Sequence, residues 1–317
     1  MTPSDSQEYL PKPIREGIII ESTGSWAQVL ADGKIISSRL SGKQRLHEDE
    51  TTHPIAVGDR VRIIVQEDQT GVIDQIHERK NAIPRLSTHT RKQAQILVTN
   101  LDMAWVVQAV KDPRPKPGFI DRFLVTCEAY GVPAGVILNK LDLKRKKEAD
   151  TVEWLTSLYT SLGYPVLHCS AQTGEGIEDL KKALSGKISA LIGPSGTGKT
   201  SLLNKLDPSL ERRTSEISSS TGKGRHTTTF AQLIPLQFSG MIADTPGIKE
   251  FGLVDIEPWE LSLYFPEMRG PREECRFNTC THEHEPDCGV MKAFEEGKID
   301  PERYHSYLMI LESLKVT

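Results

Sequence analysis

The sequence predicts three successive units: a small antiparallel β-barrel over residues 14–83, a doubly wound α/β domain with a mainly parallel sheet over 84–253, and a mainly α-helical module over 254–317. Three patterns carry this. Short β-prone runs alternate with glycine or polar turns up to residue 80; strand-like and amphipathic helical runs alternate from about residue 96; and three of the five cysteines crowd into 275–288. A chain of 317 residues exceeds what one core usually holds, so several domains are required.

In chain order, residues 1–13 are polar and Pro-bearing and read as a disordered tail, with no apolar stretch suited to a targeting signal. GIIIES, WAQVLA, KIISSRL, DRVRIIVQ and GVIDQIHE are the barrel strands, separated by STG, ADGK, SGK and EDQTG. AWVVQAV, GVILNK and PVLHCS are strands of the second unit. Between them lie helical stripes at Ile120, Phe123, Leu124 and Cys127, and at Val152, Leu155, Leu158, Tyr159 and Leu162. Near the C-terminus Tyr304, Leu308, Leu311 and Leu314 mark a closing helix. The longest apolar runs are far too short to span a bilayer, so no membrane association and a cytoplasmic location are expected. A net charge of -4 argues against indiscriminate coating of nucleic acid, which needs a basic face, and leaves room only for a local patch.

GPSGTGKT, residues 193–200, follows the β-prone ISALI and precedes the helical SLLNKL, the strand-turn-helix setting of a phosphate-binding loop. Gly193, Ser195, Gly196, Thr197 and Gly198 present backbone N–H groups to phosphates at a helix start, with Pro194 in the same nucleotide-binding loop and Ser201 closing it. Lys199 is placed to reach the β- and γ-phosphates and Thr200 to coordinate magnesium. NKLD at 139–142 chooses the base. Asp142 is able to accept from both the ring N–H and the exocyclic amine of guanine, a donor pair that adenine lacks. Asn139 is expected at the other edge of the base, the Lys140 stem over its face, and Ser170 and Ala171 of SAQTGEG near the guanine oxygen. GTP and GDP are therefore the expected ligands.

DTPG at 244–247 supplies Asp244 for magnesium, through water, and the Gly247 N–H as a γ-phosphate sensor. The glycine- and hydroxyl-rich SSSTGKGRHTTT before it suits a switch loop whose Thr228 or Thr229 completes the magnesium shell. Base-reading motifs precede the phosphate loop, the reverse of the usual order. The GTPase domain is thus circularly permuted, an arrangement tolerated when the original termini lie close together. Ile248 follows DTPG where a water-orienting glutamine often stands, so His226 becomes the best candidate to position water.

CRFNTCTHEHEPDC spaces Cys275, Cys280, His282 and Cys288 for a closed, structural zinc site of three thiolates and one imidazole, with His284 as a spare. Crowded cysteines in a chain without a secretory signal favour metal over disulfides.

Permuted GTPase motifs together with GRHTTT, DTPGI, the Cys/His pattern, VGDRV, ERKNAIPR and IDRFLV closely resemble the RsgA (YjeQ/YloQ) family of small-subunit-dependent GTPases over residues 14–317. The resemblance implies an OB-fold barrel and a role in late maturation of the small (30S) ribosomal subunit. It also implies contact with its rRNA, GTP hydrolysis stimulated by that subunit, and a catalytic His226. A monomer is expected. Two features depart from the pattern: RLSTHTRKQAQILVTN is longer and more basic than usual, and Thr279 stands where an acid is common. The competing expectation is a nucleotide-gated RNA-binding scaffold whose turnover is incidental.

Overall fold

A computed structural model describes residues 13–23, 26–42, 55–85, 95–210, 231–244, 253 and 256–315. Its first five strands are β1 (Ile14–Thr23), β2 (Trp26–Ala31), β3 (Lys34–Leu40), β4 (Arg60–Val65) and β5 (Gly71–Ile76). They pair in the ring β1-β2-β3-β5-β4 and close through β1–β4, a five-stranded barrel. Asp32 and Gly33 join β2 to β3 with φ of 48° and 74°, the paired positive values of a type I′ hairpin turn. Ile19, Val29, Val61, Ile63 and Ile73 fill the barrel. The register of β1 against β2 shifts between Ile19 and Glu21, so two consecutive isoleucines are buried in different places. Ile19 faces the barrel core, while Ile20 packs with Val57, Ile83 and Val98 in the core of the second domain.

The strands β6 (Ala82–Arg85) and β7 (Gln95–Thr99) form a separate antiparallel pair, so the connection expected to divide the domains near residue 83 is itself a strand. The VGDRV and ERKNAIPR sequences meet here. Asp59, fully buried, accepts from Arg79 Nε and Nη2 at 2.7 and 2.8 Å, from Thr99 Oγ1 at 2.9 Å and from Ala56 N at 2.7 Å. A buried carboxylate with four donors, two of them charged, satisfies its lone pairs and fixes the barrel to the domain beside it.

The second domain contains β8 (Met103–Ala109), α1 (Pro117–Ala129), β9 (Ala134–Asn139), α2 (Lys146–Ser161), β10 (Val166–His168) and α3 (Ile177–Leu184). It continues with β11 (Ile188–Ile192), α4 (Lys199–Leu206), β12 (Gln232–Pro235) and β13 (Met241–Asp244). Its sheet runs β10-β9-β8-β11-β13-β12, parallel except for β12 at the edge, and β12 meets β1 of the barrel at Gln232 and Glu21. All of β8 is buried because helices cover both faces: Ala104 and Val106 pack toward α1 and α2, and Met103, Trp105 and Val107 toward α3 and α4.

Three 3-10 turns, Pro258–Tyr264, Pro266–Met268 and Pro271–Glu274, lead to α5 (Gly289–Glu295) and α6 (Pro301–Lys315). The closing helix is present, but its buried face differs from the expected stripe. Arg303, Ser306, Tyr307, Ile310 and Leu311 are buried, whereas Tyr304, Leu308 and Leu314 are only partly so. The stripe is rotated because Arg303 turns inward. Its Nη1 donates to Asp121 Oδ1 of α1 at 2.7 Å, and its Nε and Nη2 donate to Glu267 at 2.6 and 3.1 Å. A search for apolar periodicity passes over an inward-facing arginine.

Candidate nucleotide site and metal centre

The loop after β11 ends at Gly198, which has φ +89° and precedes the first residue of α4. A Cβ there would lie 2.4 Å from Asn139 Nδ2, and one at Gly193 would lie 2.2 Å from Val107 O, so both positions exclude any side chain. Asn139, at the end of β9, is buried. Its Nδ2 donates to Thr197 O at 2.9 Å and its Oδ1 accepts from Ala171 N at 3.4 Å. One amide therefore ties together the three segments GPSGTGKT, NKLD and SAQTGEG. Expected at the base edge, it is engaged at both ends by the protein, a tie that the linear sequence does not display.

Lys140 has φ +65° and donates through Nζ to Asp112 O, which brings the loop after β8 alongside. Asp142 is exposed in the 3-10 turn Leu141–Leu143, and its Oδ1 accepts from Ser170 Oγ at 2.5 Å. Buried Ser170 also accepts at Oγ from Thr173 N at 3.2 Å, so the SAQTGEG loop itself holds the carboxylate in place. Lys199 Nζ donates to Gly193 O and Pro194 O at 2.7 and 2.9 Å, and Thr197 Oγ1 donates to Pro194 O at 3.0 Å. Thr200 and Ser201 are exposed in the first turn of α4, and Ser195 and Gly196 on the loop. Asp244 ends β13, the strand beside β11. The structure thus gathers the described nucleotide candidates at the C-terminal ends of parallel strands, where ligands of α/β sheets bind. His226, Thr228, Thr229, Gly247 and Ile248 lie outside the described residues.

Cys275, Cys280, His282 and Cys288 place their ligand atoms within 4.8 Å of one another. Cys275 Sγ lies 3.8 Å from Cys288 Sγ, and His282 Nδ1 lies 3.5 and 3.3 Å from these two sulfurs. With Zn–S near 2.3 Å and Zn–N near 2.0–2.1 Å, the edges of a tetrahedron are about 3.8 Å between sulfurs and about 3.5 Å between sulfur and nitrogen. The spacing fits such an ion. Burial pushes the Cys280 thiol up to about 12 and holds His282 down at about 4. The imidazole is therefore neutral and ready to ligate, while a buried thiol gives up its proton only to a cation.

The ligand loop is clamped from α6 and from within. Tyr304 and Tyr307 donate to His282 O and Thr281 O, each at 2.7 Å, and Glu285 accepts from Thr281 N and Oγ1 at 2.6 Å. The His284 side chain is 80% exposed beside Glu283, against 1% for His282, so the spare histidine points away from the cluster. Replacing His282 by alanine is expected to release the metal, whereas His284→Ala should retain one equivalent; metal analysis of the two purified variants checks this, and the reverse result would reassign the ligand.

Family models match residues 76–254 as RsgA GTPase and residues 16–73 as RsgA N-terminal domain. The chain belongs to the RsgA GTPase family. Among RsgA relatives, the "small ribosomal subunit biogenesis GTPase RsgA" of Bacteroides fragilis strain YCH46 is 44% identical over 298 residues, covering 94% of this chain and 96% of the relative. That of Flavobacterium johnsoniae is 44% identical over 300 residues, with 93% and 92% covered. YjeQ from Thermotoga maritima superposes with a TM-score of 0.78 at 37% identity, over 95% of this chain and 99% of that one. YloQ, described as a circularly permuted GTPase, gives 0.75 at 27% identity, over 98% of both chains. The permuted RsgA order is visible in the sheet: β9 and β10, which lead into NKLD and SAQTGEG, precede β11 in the chain and lie on one side of β8, with β11 and its phosphate loop on the other.

Three groups escaped the sequence reading: Asp121, Arg303 and Glu267 as a buried ion cluster, Tyr304 and Tyr307 as clamps, and Ser170 as the holder of Asp142. IDRFLV, containing Asp121, was the one available signal among them.

Proposed function

We propose that this chain is a GTPase that acts in late maturation of the small ribosomal subunit and turns over GTP in response to that subunit. The observation that carries the reading is the tie made by Asn139 between the phosphate loop and both base-reading loops, in a chain whose near full-length relatives bear that function in their name. Residues 193–201 cradle the phosphates and Lys199 offsets their charge. Asp142, with Asn139, Ser170, Ala171 and the Lys140 stem, selects guanine. Magnesium, when bound, neutralises phosphate charge and is held by Thr200, by Thr228 or Thr229, and by Asp244 through water. Gly247 reports the γ-phosphate, and His226 orients the attacking water. Zinc occupies the three-cysteine, one-histidine cluster as a structural ion. The reading places the protein in the cytoplasm as a monomer that contacts small-subunit rRNA.

Attachment of the outer domains supports nucleotide-dependent docking. The barrel pairs through β1 with β12, the strand that follows the first switch sequence, and the metal module follows the DTPG sequence. The first switch sequence thus leads into a strand that meets the barrel, and the second leads into the metal module. Loaded with a non-hydrolysable GTP analogue, the protein should co-sediment with small subunits and not with large ones, and GDP should release it. Equal pelleting with both subunits, or indifference to nucleotide, would contradict the reading.

A further inference from the structure

His282 has a second contact, on the side of the ring away from the cysteines. Its Nε2 lies 3.0 Å from Ser262 Oγ, and both residues are buried, at 1% and 0% exposure. A neutral imidazole has one lone pair and one N–H. The sulfurs surround Nδ1, so a metal takes the lone pair there, and the proton must sit on Nε2. In a buried site that N–H needs an acceptor, and among the described residues the Ser262 hydroxyl oxygen is the one in reach. Ser262 belongs to the Pro258–Tyr264 turn, twenty residues before the ligand it contacts, and among the described residues that turn is the first helical element after β13.

We propose that Ser262 is a positioning residue of the metal centre: by accepting the Nε2 proton of His282 it fixes Nδ1 as the ligating nitrogen and fastens the turn that follows the DTPG sequence to the metal. The proposal rests on reading the cluster as a zinc site. Loss of such an outer hydrogen bond lowers metal affinity roughly 10–100-fold. A hydroxyl at this position suffices for the role, so threonine substitutes for serine where alanine does not.

The test uses the full-length protein and zinc itself. Chelator competition should show Ser262→Ala weakened by roughly 10–100-fold, with Ser262→Thr close to wild type and affinity for a GTP analogue unchanged in all three. Nitrogen-15 NMR of histidine-labelled, zinc-loaded wild type should show His282 protonated at Nε2 and metal-bound at Nδ1, a readout independent of whether the alanine variant folds. Equal zinc affinity in wild type and Ser262→Ala, or metal on Nε2, would overturn the role of Ser262 while leaving the zinc site standing. A wild-type protein that binds no zinc would overturn the zinc reading and the proposal with it.

Discussion

Asp142→Asn is expected to lose GTP affinity by two to four orders of magnitude and to gain affinity for the xanthosine nucleotide. The exposed carboxylate is held by the Ser170 hydroxyl at 2.5 Å, in a 3-10 turn that follows the buried end of β9. In the proposed base-reading role it accepts from both the ring N–H and the exocyclic amine of guanine. Hydrogen bonds to a charged group contribute about 1.5–3 kcal/mol each, so losing two costs roughly 3–6 kcal/mol. At about 1.4 kcal/mol per tenfold, that gives the stated range. An asparagine offers one acceptor oxygen and one amide NH2; its oxygen is able to keep the Ser170 contact, and its NH2 then faces the base, which suits the carbonyl that xanthine presents there. Competition binding with a fluorescent guanine nucleotide measures both effects. Undiminished GTP affinity would remove Asp142 from base recognition.

The second large effect concerns the joint between the GTPase domain and the metal module. Arg303 is fully buried between Asp121 of α1 and Glu267, with its guanidinium 4.6 Å from the centre of the Phe265 ring, and Tyr159 OH donates to Asp121 Oδ1 at 2.8 Å. Burial pushes the Asp121 carboxyl above its ordinary range, and the Arg303 charge opposes that push. Arg303→Met keeps much of the side-chain volume but leaves two carboxylates without their cation. Removing one partner of a buried pair typically costs about 3–5 kcal/mol. Urea unfolding should show a loss of that size, with the α1–α6 contact opening before the sheet does. A loss below about 1 kcal/mol would mean that the carboxylates find water or protons at little cost, as at surface ion pairs.

Much of this architecture is written in local patterns. The five barrel strands, the parallel order of the second domain and the metal ligands follow from period-two alternation, amphipathic stripes and ligand spacing. What was illegible depends on contacts between distant residues. Arg303 reads as an exposed cation in PERYHSYL until α1 brings Asp121 to it, 182 residues away in sequence. Asn139 reads as a base contact from NKLD, and its bridge from Thr197 to Ala171 appears only once the chain folds those residues against its two polar atoms. Spacing favours His282 and leaves His284 as a spare; the grouping of His282 with the three cysteines and the exposure of His284 separate the two. Ile19 and Ile20 look like one strand run, and only the bulge assigns them to separate cores.

The most direct measurement of the central claim is the GTP hydrolysis rate of wild type and His226→Ala, each with and without purified small ribosomal subunits. With Ile248 after DTPG unable to orient water, the isolated wild type should turn over slowly, because a poorly placed water forfeits much of the orientation advantage of an active site. Small subunits should raise that rate strongly by completing the site around His226. The alanine variant should lose most of the stimulation while keeping its GTP affinity and its GTP-dependent binding to the subunit. A wild-type rate that stays flat when small subunits are added would contradict the account, and stimulation retained in His226→Ala would move the catalytic role to another residue or to the ribosome.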